Sequence, residues 1–247
     1  MHARECDNII LAAGLSSRMQ GGKLLRDLDG QPLVRIAVRN ALAACRRVIL
    51  VVGHRADELV RAVGGVEADG GVNADAGAGA GRLVVARNPR YRAGMVGSIQ
   101  AGMRRVTTDW FFITPADMPG LTPRIYEAVA RAAGGHPEAD VAGPGGPSAP
   151  GVGTSGGPAG AGVLVVVPFY RETRGHPVLV SASLIPLLLR EPPDAGPMRA
   201  MLAGYPTRRA DLDEPAITLD IDTEASYQRY LRSSGDVATD RWSDPAR

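Results

Sequence analysis

Asn8-Ile9-Ile10-Leu11-Ala12-Ala13-Gly14-Leu15-Ser16-Ser17-Arg18-Met19, with Gly21-Gly22-Lys23 close behind, decides how the rest of the chain is read. It opens as a short apolar run, as a strand buried on both faces of a parallel sheet requires, and then turns small and polar. Small side chains at Ala12, Ala13, Gly14, Ser16 and Ser17 let a ligand approach the backbone N–H groups, and Arg18 and Lys23 add the positive charge a triphosphate needs. The stretch predicts a strand feeding a nucleotide phosphate loop. Two familiar loops are excluded by position. Lys23 is followed by Leu24 where a Walker loop has Ser or Thr, and Ser17 stands where its first glycine belongs. The dinucleotide fingerprint fails as well, because Ser16 occupies the place of its second glycine.

Outward from the loop, strand and helix signals alternate. Leu33, Val34, Ala37, Val38, Ala41, Leu42 and Cys45 recur at helical spacing behind Pro32, which suits a first helical turn. Residues 48–53 form a second, wholly apolar strand, residues 57–63 its helix, and residues 83–86 a third strand. A helix is expected from Ser98 to Met103, entered through the small-residue segment that begins at Gly94, and a strand over 109–114 breaks at Pro115. Thr122 is placed to cap the next helix. Strands over 164–169 and 175–181 follow, then helices from Ser183 and near Met198, a last strand over 217–222, and a helix capped by Thr223. This pattern predicts an α/β fold with one doubly wound, mostly parallel sheet.

At 247 residues, 45% hydrophobic and 22% charged, the chain suits one large domain over 1–232, with low-complexity loops near 64–81 and 143–162 and a polar tail over 233–247. A net charge of +2 and 4% aromatic residues give no footprint for nucleic acid. Cys6 and Cys45 lack metal-ligand spacing and are read as reduced thiols of a cytoplasmic protein. Glu5 and Asp7 precede an apolar run that is too short for a signal peptide or a membrane span.

Two acidic motifs carry the remaining chemistry. Asp117 lies just past an apolar strand, at the carboxyl edge where open α/β sheets bind ligands, and its hard oxygens suit Mg²⁺. Asp220 and Asp222, on the expected last strand, would share one face, and either could join Asp117 on the metal.

Taken in order, the loop at 8–23, residues 47–55, Asn88-Pro89, Asp117 with Pro119, residues 175–181 and residues 219–223 resemble the molybdenum cofactor nucleotidyltransferases. The resemblance covers nearly all of the chain up to Leu231, and it implies a Rossmann-like nucleotidyltransferase fold. Guanylyl-transferring members have Ala-Gly-Gly where this chain has Ala12-Ala13-Gly14, so the implied donor is CTP. The implied reaction moves CMP from CTP to the phosphate of molybdopterin, with Mg²⁺ as cofactor and a molybdenum hydroxylase or its maturation chaperone downstream. Leu11, Ala12, Ala13, Gly14, Ser16, Arg18, Lys23, Gly94, Ser98 and Asp117 would bind the nucleotide. Arg18, Lys23 and Asp117 would be catalytic, Asp117 and Asp222 would hold the metal, and Gly175, His176 and Pro177 would meet the acceptor. His54 and Arg55 are read as structural, and Met198, Met201 and Leu202 as helix core. A cytidylyltransferase for a sugar or polyol phosphate, or a non-catalytic cofactor carrier, are the alternatives.

Overall fold

The computed structural model describes residues 1–15, 22–28, 30–64, 72–73, 81–134 and 162–235. Of the expected features, Ser16, Arg18, the tail beyond residue 235 and nearly all of both low-complexity loops lie outside the described residues.

In chain order the strands are β1 (Asp7–Ala12), β2 (Asp27–Leu28), β3 (Gln31–Pro32), β4 (Arg47–Val52), β5 (Val72–Asn73), β6 (Leu83–Arg87), β7 (Trp110–Pro115), β8 (Val165–Tyr170), β9 (Thr173–Arg174), β10 (Val178–Ser181) and β11 (Thr207–Asp211). The helices are α1 (Leu33–Ala44), α2 (Ala56–Val63), α3 (Met95–Met103), α4 (Pro123–Gly134), α5 (Ile185–Leu188), α6 (Met198–Met201) and α7 (Glu224–Gly235). The main sheet runs β11-β8-β10-β7-β1-β4-β6-β5, with β9 attached to β8, while β2 and β3 form a separate ribbon. From β7 to β5 every pairing is parallel, whereas β10, between β7 and β8, runs against both neighbours and the short β9 runs against β8.

Burial on both faces follows from the strand period of two. Along β1, Ile10 and Ala12 enter the core beneath α1, α2, α4 and α7, whereas Ile9 enters the core beneath α3, α5 and α6. Each of these isoleucines, removed from water, contributes about 1.5–3 kcal/mol. The sheet is therefore doubly wound, as expected. The chain leaves β1 toward β4 on one side and returns from α3 to β7 on the other. The carboxyl ends of β1 and β7 consequently flank the switch point where such sheets bind ligands.

Four expectations are corrected here. Residues 217–222 are not a strand: a 3-10 turn, Pro215–Thr218, carries the chain to Asp220. No ladder position remains for them beside β7, whose outer edge is taken by β10. The strand β11 replaces them at the sheet edge. Its charged sequence hides the strand signal, yet charge suits an edge: Arg208 reaches the Ala132 carbonyl at 2.7 Å and Arg209 pairs with Glu172 and Asp211. Val72–Asn73, inside the first low-complexity stretch, pairs with Leu83 and Val84. Finally, α3 begins at Met95 rather than Ser98, because Gly94 turns the chain at φ 139° where no Cβ fits: one would lie 2.8 Å from the Pro193 carbonyl oxygen.

Candidate functional site

At the carboxyl end of β1 the backbone passes through Ala12 and Ala13, both buried, to Gly14, where an added Cβ would meet nothing within 4 Å. Among the described residues no neighbour crowds that glycine, and it lies in the cavity wall. Gly22, left-handed at φ 111°, starts the 3-10 turn Lys23–Leu25 and sends the Lys23 side chain back toward the switch point. There Lys23 Nζ donates to Asp117 Oδ2 at 2.6 Å and also to Asp222 Oδ1. Asp117 follows β7, and its carbonyl accepts from the Ile221 N–H at 2.9 Å, which brings the 219–222 segment to the same edge. The Thr223 hydroxyl caps α7 through the Ser226 N–H at 3.1 Å, fixing the segment beyond Asp222.

Burial alone would lower the Lys23 pKa, but the charges of Asp117 and Asp222, and the hydrogen bonds to them, outweigh it and hold the ammonium above its ordinary value. Among the described residues the buried Asp117 Oδ1 has no hydrogen-bond partner. Asp220 does not reach Lys23; partial desolvation and the charges of Asp222 and Asp117 raise its pKa. Of the two acids, it is Asp222 that stands at Lys23.

These groups form one end of a cavity of about 970 Å³. Leu11, Ala12, Ala13, Gly14, Lys23, Gly94, Ser98, Asp117, Gly175, His176 and Asp222 all line it. Ser98 sits in the first turn of α3, and its hydroxyl oxygen accepts from Asn88 Nδ2 at 2.9 Å. Pro177 is buried outside the wall, joined to His176 by a cis peptide bond. Gly175 faces the cavity because no side chain fits behind it: a Cβ would lie 2.6 Å from the Ile217 carbonyl oxygen. Burial pushes the His176 pKa down against the opposing pull of Asp117 and of a hydrogen bond with the Ile113 backbone, and among the described residues its Nδ1 has no partner.

Sequence reasoning missed part of the wall. Tyr91, Arg92, Arg174 and Arg199 line the cavity; Met201 and Leu202 are buried in the core as expected, with Met198 packed against it, and Met198 and Leu202 also reach the cavity wall. Arg174, directly before Gly175-His176, carried a positional signal. Arg199 carried none, since only the fold brings α6 to this edge.

A lysine and two carboxylates from three separate segments, meeting at the switch point of a doubly wound sheet beside a small-residue loop, define a nucleotidyltransferase. Residues 8–212 match the MobA-like NTP transferase domain, and the chain belongs to that family. It is 28% identical to the molybdenum cofactor cytidylyltransferase of Escherichia coli K12 over 92% of this chain and 95% of that protein. Among solved structures it resembles the molybdopterin-guanine dinucleotide biosynthesis protein A of Archaeoglobus fulgidus at TM-score 0.63 and 12% identity, covering 94% of this chain and 100% of that one. It also resembles the manganese complex of Rv0371c from Mycobacterium tuberculosis H37Rv at TM-score 0.62 and 19% identity, over 92% and 98% of the two chains. At those identities the structural likeness concerns the fold. Among the described residues no helix is long and apolar enough to cross a membrane.

Proposed function

We propose that this enzyme transfers CMP from CTP to the terminal phosphate of molybdopterin and releases pyrophosphate. The observation that carries the reading is the Lys23 ammonium held between Asp117 and Asp222 at the mouth of the β1 loop, with the near full-length likeness to a cytidylyltransferase supplying donor and acceptor. An oxygen of the acceptor phosphate attacks the α-phosphorus in line. The bond from that phosphorus to the bridging oxygen breaks, and pyrophosphate leaves with the electron pair. Catalysis of this kind is positioning and charge neutralisation, with no covalent enzyme intermediate. Lys23, released from its carboxylates, counters the charge of the triphosphate and of the departing pyrophosphate, and Arg18 is assigned the same task. Apolar walls from Val165, Val167 and Val178 keep water from competing with the acceptor. Gly175 and His176 would meet that acceptor, and Ser98 and Gly94 the base, a reading supported by the presence of all four in the cavity wall.

Asp117 and Asp222 suit a divalent ion. Asp117 Oδ1 is an orphaned buried acceptor, and a cationic ammonium already lies between the two carboxylates. Hard oxygen ligands favour Mg²⁺, which keeps several waters and is bound through one or two carboxylates together with substrate phosphates; among the described residues no group of three or more His, Cys, Asp or Glu that could hold a metal occurs. Bound there, Mg²⁺ supplies further neutralisation of phosphate charge. The product would pass to a molybdenum hydroxylase, directly or through a maturation chaperone.

Pyrophosphate release tests the reading, measured with CTP, GTP and UTP against molybdopterin and against a sugar phosphate. Release that requires CTP and molybdopterin together is expected. Turnover with the sugar phosphate instead would reassign the acceptor, and none with any pair would remove the catalytic reading.

A further inference from the structure

Arg55 lies in the left-handed region, at φ 55° and ψ 35°. For a residue with a side chain this costs about 1–3 kcal/mol and persists only where the surroundings impose it. Its guanidinium donates to both Glu58 carboxylate oxygens, at 2.8 Å and 2.6 Å, and its carbonyl accepts from the Glu58 and Leu59 N–H groups at 3.1 Å. An ion pair exposed to this degree, with side chains 29% and 42% accessible, contributes about 0–1 kcal/mol. Stability alone therefore does not account for the arrangement.

What the strained turn reaches is the nucleotide end of the cavity, with three consecutive residues. Gly53 packs under the Tyr91 ring, so closely that a Cβ would lie 2.8 Å from its Cγ. The His54 N–H donates to the Ala13 carbonyl at 3.3 Å. The Arg55 guanidinium fills the space beside Gly22, where a Cβ would overlap Nη1 and stand 3.0 Å from Cζ. Ala13 and Gly22 are the entry and exit of the phosphate loop, and Gly22 starts the turn that aims Lys23.

We infer that residues 53–55 brace the phosphate loop, with Arg55 as a positioning residue that sets the separation of Ala13 from Gly22 and thereby the place of the Lys23 ammonium. The brace rests on the nucleotidyl-transfer reading, and binding measurements separate the two. In calorimetric titrations of the full chain with CTP and with pyrophosphate, each with Mg²⁺, Arg55→Ala should bind both about 10-fold more weakly. Arg55→Lys, which keeps the charge but not the planar fork, should be intermediate. Glu58→Gln, which removes the carboxylate that holds the guanidinium, should weaken binding in the same direction, and the Glu58→Gln, Arg55→Ala double variant no further than Arg55→Ala, since both changes act through one side chain. The melting temperature of Arg55→Ala should fall by no more than about 4 °C.

Binding by Arg55→Ala within twofold of wild type, multiplied losses in the double variant, or a melting loss above about 10 °C would each overturn the brace. A wild type that binds pyrophosphate but not CTP would sink the cytidylyl reading while the pyrophosphate series still decides on the brace. One that binds neither would remove both.

Discussion

Asp7 with Arg47, which are buried, and Lys23 with Asp117 and Asp222, which are partly buried, are clusters of opposite charge set at the two ends of the same sheet. At the amino edge, Asp7 is fully buried and pairs in register with Arg47 on the next strand. Its Oδ2 accepts from Arg47 Nη2 at 2.9 Å and from the Thr107 N–H at 2.8 Å, and Arg47 also reaches the Arg105 carbonyl. Strands hold both partners and nothing else can enter. At the carboxyl edge the three side chains are 11%, 18% and 31% accessible, come from loops, and face a cavity. The lesson is that burial of an ion pair does not say what the pair is for. A sealed pair can only hold the fold, whereas a pair that opens onto a cavity can exchange one partner for a ligand.

The largest expected effect separates the edges by activity. Asp117→Asn should lower kcat/KM for CTP by about 1,000-fold, about 4 kcal/mol in the barrier, while shifting the melting temperature by under about 4 °C, because Asp222 still pairs with Lys23. Kinetics and a thermal melt on one preparation check this, and near-normal turnover would take Asp117 out of the site. Arg47→Ala should do the reverse. Leaving Asp7 buried and uncompensated should cost about 3 kcal/mol or more, roughly 10 °C in melting temperature, with kcat per folded molecule unchanged. A Tm within 2 °C of wild type would show that the amino-edge pair is not structural.

Base selectivity comes next and senses only the carboxyl edge. CTP should exceed UTP by about 2 kcal/mol in kcat/KM, since uracil leaves a buried partner of the exocyclic amine unpaired. It should exceed GTP as well, because Ala13 restricts space for a purine. Exchange of Ala13 for Gly, with matching changes over 94–98, should admit some GTP. A wild-type preference for GTP would end the cytidylyl assignment.

The smallest effects lie at opposite ends of the pH scale. The Lys23 pKa is raised on folding, so its contribution is complete below the ordinary lysine value of 10.5 and is lost as pH climbs through the higher folded value. Near the amino edge, burial of Glu127 acts to raise its pKa, but hydrogen bonds from the Ala3 N–H, His2 and Arg131 prevail and bring it to about 2. That contribution is complete above 4.5 and disappears as pH falls toward about 2. Chemical denaturation of Lys23→Met and Glu127→Gln against wild type, across pH, checks both signs: the Lys23→Met deficit should shrink only on the alkaline side and the Glu127→Gln deficit only on the acid side.

The short-range patterns were enough for β1, β4, β6, β7 and their helices, because a strand buried on both faces must be apolar throughout and a small-residue run after it has few other uses. The same reasoning located Asp117, close behind a strand end, and Lys23, behind the small-residue loop. It failed at β11, whose edge position tolerates charge, and at residues 217–222, where alternating Ile217, Leu219 and Ile221 looked like a strand but found no free ladder. Which acid meets Lys23 was settled by the approach of residues 199 positions apart, stabilised by the Ile221–Asp117 backbone bond and the Thr223 cap. The reversed β10, Arg199 in the cavity wall and the contact of Arg55 with Gly22 have the same origin. Local propensity acts over a few residues and leaves a mark in the chain, whereas closure of a cavity depends on which segments the core brings together, and that is decided only when the layers pack.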